Sequence, residues 1–198
     1  MIGPIKRLAL GFAINLCLGQ GVVDANSPME QVEETIQHVV TLINGASKRS
    51  DLELRDKLRA ALMPRFDWFE MAKQALGKHW DDIPGRQREF VVVFAEFLGA
   101  SYVGKIGAYK DEKIHFVQES IDKNRAQVDT KIIPNNGEPT TVNYRLHHVQ
   151  GEWKIYDVVV EDISIVSNYR SQFNRILAKG SIDDLLKQLR EKEAKNRN

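Results

Sequence analysis

The most constraining feature of this 198-residue sequence is a change of hydrophobic period near residue 110. Before it, apolar residues recur every three or four positions, the repeat of a helix with one buried stripe. Ser27-Pro28 opens such a helix, and Val32, Ile36, Val39, Val40 and Ile43 continue it to the stop at Asn44-Gly45. LELRDKLRAAL predicts a second helix, ending at Met63-Pro64. FDWFEMAKQALGKHW predicts a third, with Phe66, Phe69, Met71, Ala72 and Leu76 on one side and Gly77 as its stop. After Pro84-Gly85 a long helix from Arg86 to Tyr109 carries Phe90, Phe94, Phe97, Leu98, Tyr102, Ile106 and Tyr109, a wide apolar stripe.

Beyond residue 110 the texture is that of strands. KIHFVQES, AQVDTKII, TVNYRLHHV and EWKIYDVVV are short runs of strand composition, separated by turn signals at Asp122-Lys123-Asn124, Pro134-Asn135-Asn136-Gly137 and Gln150-Gly151. Such short connections make consecutive strands antiparallel neighbours. Helix returns from Ser167 to Ala178, Gly180 breaks it, and Ser181-Ile182-Asp183-Asp184 has the form of a capping box for a last helix. The charged tail REKEAKNRN is expected to fray. The expectation is therefore one α+β domain over 26–198, with a helical part at 28–110, a four-stranded antiparallel sheet at 113–166 and C-terminal helices at 167–190.

The first 25 residues belong to a different kind of signal. Lys6 and Arg7, the apolar run LALGFAINLCLG, and Val23-Asp24-Ala25 are the three parts of a secretory signal peptide, cleaved near Ala25. The run falls short of the roughly 20 apolar residues that span a bilayer. Cys17, the one cysteine, lies inside it behind Asn15 and Leu16, unlike the small residues that precede a lipoprotein cysteine. The exported chain then has no disulfide, no thiol nucleophile and no cysteine metal ligand. Without Lys6, Arg7 and Asp24 it holds 26 basic and 26 acidic residues, lacking the basic excess of a nucleic-acid binder.

Catalytic patterns are sparse. The histidines His38, His79, His115, His147 and His148 fall at no metal-ligand spacing, and the adjacent His147 and His148 point to opposite faces of a strand. No nucleophile elbow or glycine-rich phosphate loop is present. Asp157 stands out because it interrupts an apolar strand. It is either a general base with a raised pKa in a small cavity or a carboxylate bonded to a neighbouring strand, turn or arginine. Around it, WKIYDVVV alternates weakly, with Trp153, Ile155 and Val159 pointing one way and Tyr156, Val158 and Val160 the other. The second face either packs into a dry core or lines a cavity, and periodicity leaves both open. A ligand-free interaction module working through its charged surface fits the same pattern.

Three stretches read together add a resemblance. F-D-x-x-x-M-A-x-x-A-L-G-x-x-W at Phe66 to Trp80, Q-R-x-x-F at Gln87 to Phe90, and W-K-x-Y-D with S-x-x-x-N-Y-R-x-x-F at Trp153 to Phe173 resemble, in order and spacing, the MlaC-type or toluene-tolerance family of periplasmic phospholipid-binding proteins. Asp162 departs from it, standing at a tight corner where many relatives carry glycine. The resemblance implies helices wrapped around a strongly twisted antiparallel sheet of NTF2-like form, enclosing a deep apolar cavity. It implies a non-enzymatic periplasmic carrier that moves phospholipid between an inner-membrane ABC transporter complex and an outer-membrane lipoprotein complex, maintaining outer-membrane lipid asymmetry. No cofactor or metal is implied beyond the lipid cargo, and a monomer is expected.

On that resemblance the acyl tails are expected among Phe94, Leu98, Tyr102, Val142, Tyr144, Tyr156, Val158, Val160, Ile163, Ile165, Val166, Tyr169 and Phe173. Arg170 is the candidate for a headgroup phosphate, with a structural salt bridge as its alternative. Trp80 and Trp153 are expected to be packing anchors.

Overall fold

The computed structural model describes residues 27–46, 51–107 and 112–197, so the signal peptide, Cys17 and Tyr109 lie outside the described residues. The helices α1 (Pro28–Asn44), α2 (Asp51–Leu62), α3 (Trp68–Leu76) and α4 (Gln87–Gly107) come first. The strands β1 (Lys113–Asp122), β2 (Arg125–Ile133), β3 (Thr140–Val149), β4 (Glu152–Val160) and β5 (Ile163–Ser164) follow, then α5 (Ile165–Leu177) and α6 (Ile182–Arg197). The strands form one antiparallel sheet in the order β1-β2-β3-β4-β5.

The sheet has five strands where the sequence predicts four, because the chain folds back once more after Val160 and pairs Ile163 and Ser164 with Val160 and Val159. That turn places Glu161 and Asp162 at φ of 47° and 62°, the left-handed pair a two-residue hairpin demands. Asp162 thus takes, without glycine, the conformation for which glycine is favoured. Glu161 holds the corner: its carboxylate accepts hydrogen bonds from the Thr141 amide and hydroxyl.

Side-chain caps set the helix starts. The Ser27 hydroxyl accepts from the Glu30 amide and the Glu30 carboxylate accepts from the Ser27 amide, a reciprocal box that opens α1. Glu119 of β1 accepts from the Met29 amide at 2.6 Å, tying that helix start to the sheet. Ser181 and Asp184 form the box predicted for α6. Asp67 accepts from the Glu70 amide, so α3 begins only at Trp68, and Phe66 instead bridges to Ile155 of β4. Phe69, expected on the buried side, is 53% exposed and lies edge-on to Trp80.

Two C-terminal expectations are corrected. α5 begins two residues before Ser167, since Ser164 caps it by accepting from the Ser167 amide. The charged tail does not fray at 190: α6 runs to Arg197, where Arg55 donates to the Arg197 carbonyl and Asn196 donates to the Ser101 hydroxyl.

The buried interior falls into three clusters. The largest joins α3, α4, α5 and α6 with Tyr156. A second joins α1 to the sheet through Val32, Ala126, Val128, Leu146, Trp153 and Ile155. The third joins α1, α2 and α4 through Val39, Leu58 and Val103. α1 lies on β1 and β2, and α3 and α5 lie on β4, while α4 packs on other helices and makes no more than marginal contact with the strands.

Candidate functional site

β4 is where the interior divides. Ile155 lies opposite Leu146 and Asp157 opposite Arg145, so Tyr156 is an extra residue, a β-bulge. A bulge shifts the alternation of faces by one residue. Val158 lies opposite Tyr144 and Val160 opposite Val142, so Trp153, Ile155, Val158 and Val160 share one face with Val142, Tyr144 and Leu146. Tyr156 belongs to the helical cluster behind the other face. This corrects the grouping of Tyr156 with Val158 and Val160, which assumed an unbroken period of two.

On the α1 face, Val32 of α1 is buried against Leu146, Trp153 and Ile155, and the half-buried Met29, Ile36, Phe66, Phe116, Tyr144 and Val158 surround them. Gln31 fixes the helix there: its side-chain amide donates to the Trp153 carbonyl at 2.6 Å and accepts from the Trp153 amide at 3.2 Å. Trp153 is therefore a packing anchor, and Trp80 is another, at 5% exposure in the helical cluster.

On the opposite face Asp157, 2% exposed, has both oxygens in use. One accepts from the Val166 amide at the start of α5, the other from the Ser164 hydroxyl at 2.6 Å and from Arg145 at 3.2 Å. The one carboxylate thus ties Arg145 of β3, Ser164 of β5 and the start of α5 together. The geometry is that of a brace between sheet and α5. Beside it, His147 meets Asp67 at 2.9 Å, and Arg125 donates to the Tyr156 hydroxyl while lying over its ring.

The helical cluster is dense with rings. Phe94 contacts Phe90, Tyr169 and Phe173 at centroid distances of 5.6, 5.7 and 5.6 Å, and Phe97 contacts Tyr169 at 5.4 Å. A side chain beside a water-sized void keeps accessible surface, yet Phe94, Val166 and Phe173 keep between 0% and 2%. Leu98 and Tyr156 are buried there too, with Tyr102, Ile165 and Tyr169 half-buried around them. Burial and the adjacent Tyr102 hydroxyl push the Tyr169 phenol well above its ordinary pKa. Arg170 donates through Nε to the Gln74 carbonyl at 2.5 Å and lies against Gly77, whose φ of 56° turns the chain sharply.

The predicted tail residues therefore do not form one patch. Val142, Tyr144, Val158 and Val160 lie on the α1 face; Phe94, Leu98, Tyr102, Tyr156, Ile165, Val166, Tyr169 and Phe173 lie in or against the helical cluster. Ile163, opposite Val160, continues that sheet face and is 62% exposed. Ile36, Phe66 and Phe116 were missed as neighbours of the sheet group. The signal for Ile36 was present in the α1 stripe, whereas Phe66 needed the Phe66–Ile155 bridge. Among the described residues no group of three or more metal-ligating side chains is assembled.

These features define an α+β protein whose meander is carried by helices and whose apolar interior is split around one bulged strand. A family model described as MlaC protein matches residues 33–191. The chain belongs to the MlaC family. It is 25% identical over 169 residues to the intermembrane phospholipid transport system binding protein MlaC of Haemophilus influenzae, covering 82% of this chain and 79% of that protein. It is 37% identical over 91 residues to the toluene tolerance protein ttg2D of Pseudomonas putida, covering 46% of this chain and 42% of that one. The structure of a phospholipid-binding protein from Ralstonia solanacearum in complex with a phospholipid superposes with a TM-score of 0.75 at 21% identity, covering 86% of this chain and 98% of that one. That likeness establishes a shared fold.

Proposed function

We propose that this protein is a soluble periplasmic phospholipid carrier, not an enzyme, which sheathes acyl tails in a deep apolar cavity of NTF2-like form. It carries lipid as a monomer between an inner-membrane ABC transporter complex and an outer-membrane lipoprotein complex, and so maintains the lipid asymmetry of the outer membrane. The observation that carries this proposal is the family match from residue 33 to 191, which runs from α1 through α6. Each acyl methylene removed from water is worth about 0.8 kcal/mol, so two tails of roughly 15 methylenes total on the order of 24 kcal/mol. No set of headgroup hydrogen bonds approaches that figure, and a soluble carrier must therefore enclose the tails.

We place the enclosing cavity between α4 and the sheet. We assign to the wall the half-buried Tyr144, Val158 and Val160 on the sheet and Tyr102, Ile165 and Tyr169 on the helices, with the buried Val142 and Leu98 beside them. Phe94, Tyr156, Val166 and Phe173 support that wall from behind.

The test is an organic extract of the protein purified from a bacterial host, analysed by mass spectrometry. Phospholipid at or near one molecule per chain is expected. Protein that is folded but carries no stoichiometric lipid, and takes none from vesicles, overturns the carrier role.

A further inference from the structure

Resting on the carrier function proposed above, the geometry points to Lys105, Tyr102 and Tyr169 as the site that holds the phosphodiester of the bound lipid. Arg170, the residue whose chemistry first suggests a phosphate contact, donates through Nε to the Gln74 carbonyl and lies against Gly77. It braces α5 against the end of α3. A different group of polar side chains lies where the helical cluster meets solvent. Tyr169 is half-buried, with its ring against Phe94, Phe97 and Phe173 and its hydroxyl beside that of Tyr102. Tyr102 is half-buried one turn before the exposed Lys105, whose ammonium lies over the Tyr102 ring at 5.3 Å from the centroid.

The paired phenols leave one hydroxyl proton to donate, with Tyr169 fixed by its packed ring, and the ammonium supplies charge without demanding one geometry. Together they suit a singly charged phosphodiester at the solvent edge of the helical cluster. A dry wall needs neither hydroxyl, and diacylglycerol, which has the same tails and no phosphate, gains nothing from Lys105. The site therefore selects phosphate-bearing lipids over neutral ones and leaves the substituent beyond the phosphate in water.

The test uses the full mature protein incubated with vesicles of equal parts phosphatidylglycerol and diacylglycerol with matched acyl chains. The re-isolated protein is extracted and the two lipids are counted. Wild type is expected to prefer phosphatidylglycerol by roughly tenfold, the effect of a hydrogen bond to a charged group. Tyr102→Phe combined with Lys105→Met is expected to lose that preference while the circular dichroism spectrum stays unchanged. Tyr169→Phe alone should give a partial loss. Equal preference in wild type and the double variant overturns the site and leaves the carrier function standing, whereas uptake of neither lipid by wild type removes both. Inorganic phosphate in excess at constant ionic strength is expected to leave the preference intact; if it abolishes it, the site takes a free anion and the lipid assignment falls.

Discussion

The two sides of β4 share composition and differ in packing. Behind it, Phe90, Phe94, Phe97, Tyr169 and Phe173 interlock at ring separations of 5.4 to 5.8 Å, and several keep almost no accessible surface. On the α1 face, Ile36, Phe66, Phe116, Tyr144 and Val158 are only half-buried around a smaller buried centre. Close packing resists change of volume, whereas a loosely filled apolar wall admits apolar guests. Charge placed on one side or the other should therefore fail in different ways.

The largest contrast is between Val166 and Val160. Val166 is 1% exposed and sits where Asp157 caps α5. Val166→Glu puts a second carboxylate beside a buried one, and a loss of about 4 kcal/mol or more is expected in urea unfolding, or no soluble protein at all. Val160→Glu on the half-buried sheet face should fold with a loss nearer 1 kcal/mol and retain little lipid after purification. Equal losses of stability at both positions would erase the distinction. Phe94→Ala comes next, with about 3–5 kcal/mol expected from a deleted ring among rigid neighbours. A loss below about 1 kcal/mol would mean that Phe94 faces space and not other rings.

Asp157→Asn sharpens the same boundary from the polar side. It removes the charge that faces Arg145, the Ser164 hydroxyl and the start of α5. A loss of about 2 kcal/mol is expected, measured by thermal and urea unfolding, with lipid content per folded chain unchanged. A variant of wild-type stability would refute the brace.

Much of this architecture was legible because local rules and tertiary demands agree. The α4 stripe at spacings of three and four, the capping box at Ser181 and Asp184, and the meander turns follow from short-range stereochemistry. The site was less legible. One unpaired residue at Tyr156 moves Val158 and Val160 to the α1 face, and a bulge has no signature in an apolar run such as IYDVVV. The fifth strand was hidden because Glu161 and Asp162 occupy left-handed conformations without glycine. The tail read as frayed because its partners, Arg55 and Ser101, lie far off in sequence. Asp157 drew notice as a buried acid, and its role depended on Arg145, Ser164 and the Val166 amide, which only the folded chain brings together.

The smallest effect is expected outside both regions, where charge fastens α6 to α4. Glu89 receives Arg86 at 2.6 Å and Arg190 at 2.5 Å, and Arg86 also meets Asp183 at 2.8 Å. The hydrogen bond from Arg86, followed by that from Arg190, holds the Glu89 carboxyl below its ordinary pKa. A group whose pKa is lowered by folding stabilises the fold above its unfolded value, about 4.3 for glutamate, and ceases to do so as pH falls through the folded value. Glu89→Gln should therefore lower the melting temperature slightly at pH 7, and the difference should vanish once the pH has fallen below the folded value. Because the ion pairs are exposed, 0.5 M salt should shrink the difference at pH 7. Neither condition should alter lipid content, since Glu89 touches neither the ring cluster nor the sheet face. A melting difference that persists at low pH or survives salt would show that Glu89 acts through packing, and α6 would then belong to the scaffold as firmly as α5 does.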